Sequence, residues 1–231
     1  MHSSQYKNGK KFQDKSVLVV GSGNSGMEIA YDLSDHGART SIVVRNPVHV
    51  LTKEMVQLGM TLLKFLPLDI VDKLVVALSM WKFGDLSPFG LQRPNKGPFY
   101  TKRATRKSPV IDVGTSRKIK TGEIKVFPAL KKVAENRVEF ENGKAEKFEA
   151  IVFATGYRST VRKWLMGDDD GLFNEDGMPR EKPPNHWKGK NGIYSAGFAG
   201  AGLAGISNDA LNIAEDIQRL LITQFKMGNT K

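Results

Sequence analysis

An α/β fold built on a parallel sheet is predicted by three features of the sequence. Residues 16–20 (SVLVV) are a nearly unbroken β-branched run of the kind buried on both faces of a sheet. The glycine turn Gly21-Ser22-Gly23-Asn24-Ser25-Gly26 follows at once, and Met27, Ile29, Ala30 and Leu33 then recur at helical spacing up to a stop at Gly37. Residues 40–44 return to a strand pattern, so strand, turn, helix and strand fill about 30 residues, the length of a βαβ crossover unit.

Before that unit, residues 1–15 are polar and basic with no apolar core, which argues against a cleaved secretory signal. After it, within 55–81, the longest uncharged run falls short of the roughly 20 residues that span a bilayer. Leu58, Leu62, Phe65 and Leu66, then Ile70, Leu74, Val75 and Leu78, recur at helical spacing on either side of Pro67. They predict two short amphipathic helices whose apolar stripes are read as core, ahead of membrane or partner docking. Residues 84–107, rich in Gly, Pro, Lys and Arg, read as an exposed connection. Residues 124–127 and 137–140 are short strand candidates, and Glu141-Asn142-Gly143-Lys144 suits a type I′ hairpin turn. Residues 150–154 form another buried strand, closed by Thr155-Gly156. An acidic loop (167–177), a short strand (192–195), a turn containing Gly197, Gly200, Gly202 and Gly205, and a helix over about 208–225 complete the chain.

Composition narrows the chemistry. The 231 residues, 40% hydrophobic, fit one or two globular domains. With no cysteine there is no disulfide, no Cys-ligated metal and no thiol nucleophile, so redox chemistry would have to come from a bound cofactor. No metal site is expected. A formal net charge of +11 calls for an anionic partner without choosing one. Nucleic acid is disfavoured, because Lys102, Arg103, Arg106, Lys107, Arg117, Lys118 and Lys120 carry no interleaved aromatic motif and read as a solvated basic face.

The glycine turn has the context that gives G-x-G-x-x-G its meaning, between a buried strand and a helix. Gly21 allows the tight turn, Gly23 lets backbone N–H groups approach a pyrophosphate, and Gly26 permits close strand–helix packing. The helix start adds unpaired donors and partial positive charge. At the end of the second strand, where an NAD site places an acid for the ribose 2′-hydroxyl, stands Arg45. Its guanidinium cannot accept a hydrogen bond but suits a 2′-phosphate, which favours NADP over NAD or FAD. His49 reads as a surface residue. The small residues Ala154, Thr155 and Gly156 would let a cofactor or another backbone come close, and the residues alone leave both readings open. The turn at 197–205 is equally undecided.

The stretches VLVVGSGNSGMEIAYDL, SIVVRNPVHVLTKEM, SPVIDVGTSRKIKTGEIKVFP, IVFATGYRSTVRKWL and HWKGKNGIYSAGFAGAGLAGISNDALNIAEDI together resemble the plant YUCCA-type flavin-containing monooxygenases, the indole-3-pyruvate monooxygenases of auxin synthesis. The resemblance runs from Phe12 to Leu221. It implies an enzyme in which NADPH reduces FAD, O₂ reacts with the reduced flavin, and oxygen is delivered to indole-3-pyruvate, which loses its carboxyl group to give indole-3-acetate. It also implies that Gly21, Ser22, Gly23, Asn24, Ser25, Gly26 and Arg45 hold NADP, and that Ala154, Thr155 and Gly156 and the segment 197–208 lie near the interface of two cofactor domains. The fold expected is a Rossmann-like NADP-binding domain at 15–148, with a helical insertion at about 52–82 and a polar segment 1–14 before it. The C-terminal part of a second, FAD-type dinucleotide-binding domain follows at 149–231. A cytoplasmic location is expected, with or without association to the surface of the endoplasmic reticulum. The family pattern begins with a further G-x-G-x-x-G, so the FAD site is expected to be incomplete here, as in a truncated product, a fragment or a partner-dependent form. Ala199-Gly200-Ala201-Gly202 also departs from the basic pair of many relatives. No catalytic acid or base is singled out, because the flavin carries the chemistry in this family.

Overall fold

The computed structural model describes residues 1–135, 137–165 and 171–228, in two compact units, Met1–Gly156 and Tyr157–Lys231. In the first unit β1 (Ser16–Val20), α1 (Asn24–Asp35) and β2 (Arg39–Val43) form the predicted crossover. After them come β3 (Val50–Leu51), α2 (Lys53–Leu62), α3 (Leu68–Phe83), α4 (Pro98–Thr105), β4 (Val110–Ile111) and α5 (Thr115–Lys120). The strands β5 (Ile124–Phe127), β6 (Leu130–Ala134), β7 (Arg137–Phe140), β8 (Ala145–Lys147) and β9 (Ala150–Phe153) close the unit. The central sheet is parallel in the order β5-β2-β1-β9, with Val20 in register with Val43 on one side and Phe153 on the other.

β1 is buried on both faces because strand side chains alternate. Val17 and Val19 pack with Met27, Ala30 and Leu33 of α1 and Ile42 of β2. Leu18 and Val20 pack on the opposite face with Val43, Phe127, Val138, Phe140 and Phe148. Strands β6, β7 and β8 form an antiparallel sheet that supplies much of this second layer. Phe127 stacks on Phe140 at a centroid distance of 4.2 Å, and Phe148 meets both rings edge-on. Two separate apolar layers therefore hold one central strand, which explains a run without polar alternation.

Several expectations are revised. The boundary expected at 148/149 falls after Gly156, since β9 hydrogen-bonds to β1 and belongs to the first sheet. Residues 1–14 are part of that unit as well: Phe12 is buried, Tyr6 donates to Asp32 of α1 (2.5 Å), and the Phe153 amide donates to the Met1 carbonyl. The 141–144 turn is not type I′. Only Gly143 has a positive φ (77°), and its amide donates to Phe140, so a type I turn precedes a glycine bulge.

Residues 84–107 are not a simple exposed connection. They contain α4, a short 3₁₀ turn (Ser87–Phe89), and buried Leu86, Leu91 and Phe99. Phe99 packs where Gly59 of α2 leaves space, since a Cβ there would come within 2.3 Å of the Phe99 ring. Pro98 at the first helical turn favours the start of α4. Asp72, buried on α3, accepts from the Phe99 amide (2.8 Å) and the Tyr100 amide (3.0 Å). Of the basic residues read as a solvated face, Lys118 is buried instead. Its ammonium lies over the Tyr31 ring and within 3.6 Å of Asp35 and 3.4 Å of Glu123.

The second unit contains α6 (Val161–Trp164) and α7 (Gly202–Gly228), so the last helix starts earlier than expected. The strand expected at 192–195 is only an isolated bridge, Lys188 to Tyr194. Part of the acidic loop, residues 166–170, lies outside the described residues. Val161, Leu172 and Phe173 form a small core packed by Leu165, Ile193 and Phe198. Buried His186 places Nε2 3.0 Å from Oδ1 of buried Asp209, whose Oδ2 accepts from the Gly197 amide (2.8 Å).

Two stability measurements follow from this packing. Asp72→Ala should lower the unfolding free energy by about 2 kcal/mol in urea titrations, because two helix-start amides lose a charged acceptor. His49 is buried, and burial lowers its pKa from the usual 6.5 despite a 2.7 Å contact between Nε2 and the Lys96 carbonyl oxygen. Its neutral form is favoured in the folded chain, so its contribution is present above pH 6.5 and is lost as pH falls through the lowered value. His49→Gln should flatten the stability profile on the acid side of pH 6.5, as read by thermal melts across that range.

Candidate functional site

The crevice at the carboxyl edge of the parallel sheet is the candidate site. β1 has β2 on one side and β9 on the other, so the chain reverses its order across the sheet at β1. Open α/β sheets bind ligands at such a switch point. The turn 21–26 leaves the end of β1, Arg45 lies just past the end of β2, and Ala154, Thr155 and Gly156 leave the end of β9.

The three glycines of the fingerprint meet different surroundings. Gly21 has φ +115°, and a Cβ on it would come within 2.4 Å of the Ala154 carbonyl oxygen. A Cβ on Gly26 would lie 1.9 Å from the Gly21 carbonyl oxygen. These two positions are closed by the fold's own backbone. Gly23, by contrast, would meet nothing within 4 Å. Gly23 is the N-cap of α1, has no side-chain cap, and accepts from the Met27 amide. The opening beside Gly23 thus adjoins the positive end of a twelve-residue helix, the arrangement that suits a phosphate.

Ala154 is brought against this turn and donates its amide to the Val20 carbonyl (2.8 Å). Thr155 and Gly156 are exposed. Ser22 is half-buried and Ser25 exposed. Arg45 is exposed and has no ion pair among the described residues. It stands beyond β2 whereas Thr155 stands beyond β9, with β1 between them. Neighbouring strands lie about 4.8 Å apart, so a ligand touching both must cross the glycine turn over roughly 10 Å.

Asn24 has a role that spacing did not reveal. Its Oδ1 accepts from the Ile111 amide (2.7 Å) and its Nδ2 donates to the Pro109 carbonyl (3.5 Å). Thr115 donates its hydroxyl to the Met27 carbonyl (2.9 Å). Residues 109–115 are therefore strapped to the first turns of α1. The partners are more than 80 residues apart, and no local pattern announces them. His49, read as a surface residue, is buried away from solvent. Among the described residues no group of three or more His, Cys, Asp or Glu could hold a metal ion.

Known proteins bear on this geometry. A family model described as "Flavin-binding monooxygenase-like" matches residues 1–162. The chain belongs to that family. It is 51% identical over 224 residues to the probable indole-3-pyruvate monooxygenase YUCCA10 of Arabidopsis thaliana, covering 96% of this chain and 58% of that protein. It is 48% identical to the indole-3-pyruvate monooxygenase YUCCA1 of Oryza sativa subsp. japonica, over 94% of this chain and 54% of that one. The chain thus spans little more than half the length of these curated relatives. Among solved structures, a doubly substituted variant of a flavin monooxygenase from Stenotrophomonas maltophilia matches with a TM-score of 0.58 at 16% identity, over 93% of this chain and 54% of that one. The bacillithiol disulfide reductase Bdr of Bacillus cereus matches at 0.53 and 18% identity, again over 93% and 54%. These two likenesses carry the fold.

The three glycines should respond differently to a methyl group. Gly26→Ala should cost about 2 kcal/mol or more, because backbone must move. Gly23→Ala should stay within about 0.5 kcal/mol of the parent, since its φ of −75° and its open surroundings accept a Cβ. Paired urea unfolding curves would check the contrast.

Proposed function

We propose that the first unit binds NADP(H) at the carboxyl edge of its sheet, as part of an NADPH- and FAD-dependent monooxygenase of auxin biosynthesis. The substrate in this reading is indole-3-pyruvate, converted with O₂ to indole-3-acetate in the cytoplasm. The carrying observation is the open space at Gly23 beside an uncapped helix start, with Arg45 at the end of the adjoining strand.

The residues fit such a nucleotide by chemistry as well as by space. Free amides of the first turn of α1 would donate to the pyrophosphate, with Gly21 and Gly26 keeping the turn tight enough to present them. Arg45 would hold the adenosine 2′-phosphate through its planar fork. Asn24, bonded to residues 109 and 111, would keep the adjoining strap in place instead of capping its own helix. Ala154, Thr155 and Gly156 keep bulk away from the far side of the turn, where the nicotinamide half would extend toward the flavin. Bound flavin supplies the redox and oxygen chemistry, and the protein binds, orients and excludes water. A second reading, a noncatalytic NADP-binding module, is favoured by the confinement of Gly21 to Gly26, Asn24 and Arg45 to one compact unit.

Arg45→Ala should weaken NADPH binding by about tenfold or more while changing NADH binding less than about twofold, as expected for a charged hydrogen bond to one phosphate. Fluorescence titration with both nucleotides measures this. Equal losses for the two would refute the assignment of Arg45. Flavin-dependent NADPH oxidation stimulated by indole-3-pyruvate would separate the enzyme from the module.

A further inference from the structure

The second unit holds a cavity that nucleotide binding leaves unused. It measures about 580 Å³, within the range of small-ligand sites, and every residue lining it falls between Ser159 and Phe198. The buried core of this unit is small, Val161, Leu172 and Phe173, and the cavity opens beside it. Val161, Leu165 and Ile193 give the cavity aliphatic walls, and Trp164, Phe173 and Phe198 give it aromatic ones. Phe173 and Phe198 meet edge to face with 5.5 Å between centroids. Trp164 is 67% exposed, so much of its ring surface is open to a flat partner. No charged side chain lines the cavity. Ser195 lines it as well, and its hydroxyl is closed off from solvent with no hydrogen-bond partner among the described residues. A buried hydroxyl left unpaired is costly, and a ligand that pairs with it removes that cost.

We propose that this cavity receives the indole ring of the substrate, with the Ser195 hydroxyl oxygen accepting the ring N–H. That choice of ring rests on the proposed monooxygenase reaction, whereas the class of ligand comes from the cavity itself. An uncharged flat ring with one polar edge fits walls of this composition, since aromatic rings stack on or meet edge-on with other rings. A nucleotide diphosphate does not fit, because its phosphates would enter a space without a cation. A purely aliphatic ligand would fill the same space and leave Ser195 unpaired. Serine side chains move between staggered χ1 wells, so the hydroxyl turns toward the ring from its closed position. The 2-oxo acid chain is anionic, and with no cation inside the cavity it stays in water outside. Ser195 thus positions the ring and takes no part in bond making.

Isothermal titration calorimetry of the full chain with indole, and with 1-methylindole, which lacks the N–H, tests this. Indole is expected to bind about fivefold more tightly than 1-methylindole, and Ser195→Ala should remove that preference by weakening indole alone. Because the lost hydroxyl has no partner in the chain, this variant should melt no lower than the parent. Trp164→Ala should weaken both compounds about fivefold, and matching circular dichroism melts would show that both variants fold. Absence of indole binding to a chain that binds NADPH would overturn the indole site and leave the nucleotide reading standing. A preference for indole that survives Ser195→Ala would overturn the assignment of Ser195. Indole binding with the Ser195 dependence, in a chain that never consumes NADPH with indole-3-pyruvate, would support the ring site and count against the monooxygenase reading.

Discussion

The first unit depends on the approach of backbone to backbone at the end of β1. Gly21 lies against the Ala154 carbonyl, and Gly26 against the Gly21 carbonyl, at distances that leave no room for a Cβ. Three segments, the end of β1, the start of α1 and the end of β9, converge there. A side chain at Gly21 would press on the backbone at the end of β9, and one at Gly26 would force the helix away from the end of β1. That separation would disturb the packing of Met27, Ala30 and Leu33 on Val17 and Val19, and with it the apolar layer on that face. The same closure leaves Gly23 alone facing open space, so tight packing and an accessible helix start are consequences of one turn.

Around that turn the fold divides its labour by strand. β1 is held by apolar layers on both faces, one made by α1 and the other completed by the Phe127, Phe140 and Phe148 cluster. A strand fixed in this way gives the turn after it a rigid base. The flanking strands deliver the variable chemistry, with Arg45 after β2 and small residues after β9. The strap at 109–115, tied to α1 through Asn24 and Thr115, completes the surround. Rigid support beneath and polar reach at the edges are what the proposed nucleotide site would draw on.

The helical pair α2 and α3 shows the limit of periodicity as a guide. Its inward residues pack on the core of the first unit, and Asp72 ties it to α4. Its outward residues are apolar as well, which a stripe model of a soluble helix does not anticipate. Packing one face satisfies the core and leaves the other to a different solvent or partner.

Local sequence determined β1, α1, β2, β5 and β7, because continuous β-branched runs and a 3.6-residue period depend only on neighbours in the chain. It also determined the glycine turn and the cation at Arg45, whose meaning rests on fixed offsets from a strand. Tertiary structure alone decided what those offsets could not reach. β9 joins the first sheet because hydrogen bonds to β1, 133 positions earlier at Val17 and Ala150, outweigh its position in the sequence. Residues 84–107 contain a helix because Asp72 accepts from its first amides and Gly59 leaves room for Phe99. Lys118 and His49 are buried because distant groups, Asp35, Glu123, Tyr31 and the Lys96 carbonyl, provide partners that composition treats as solvent. Which glycine is free to face a ligand was likewise a tertiary matter: the fingerprint names three, and only the backbone of Ala154 and of the turn itself separates Gly23 from the other two.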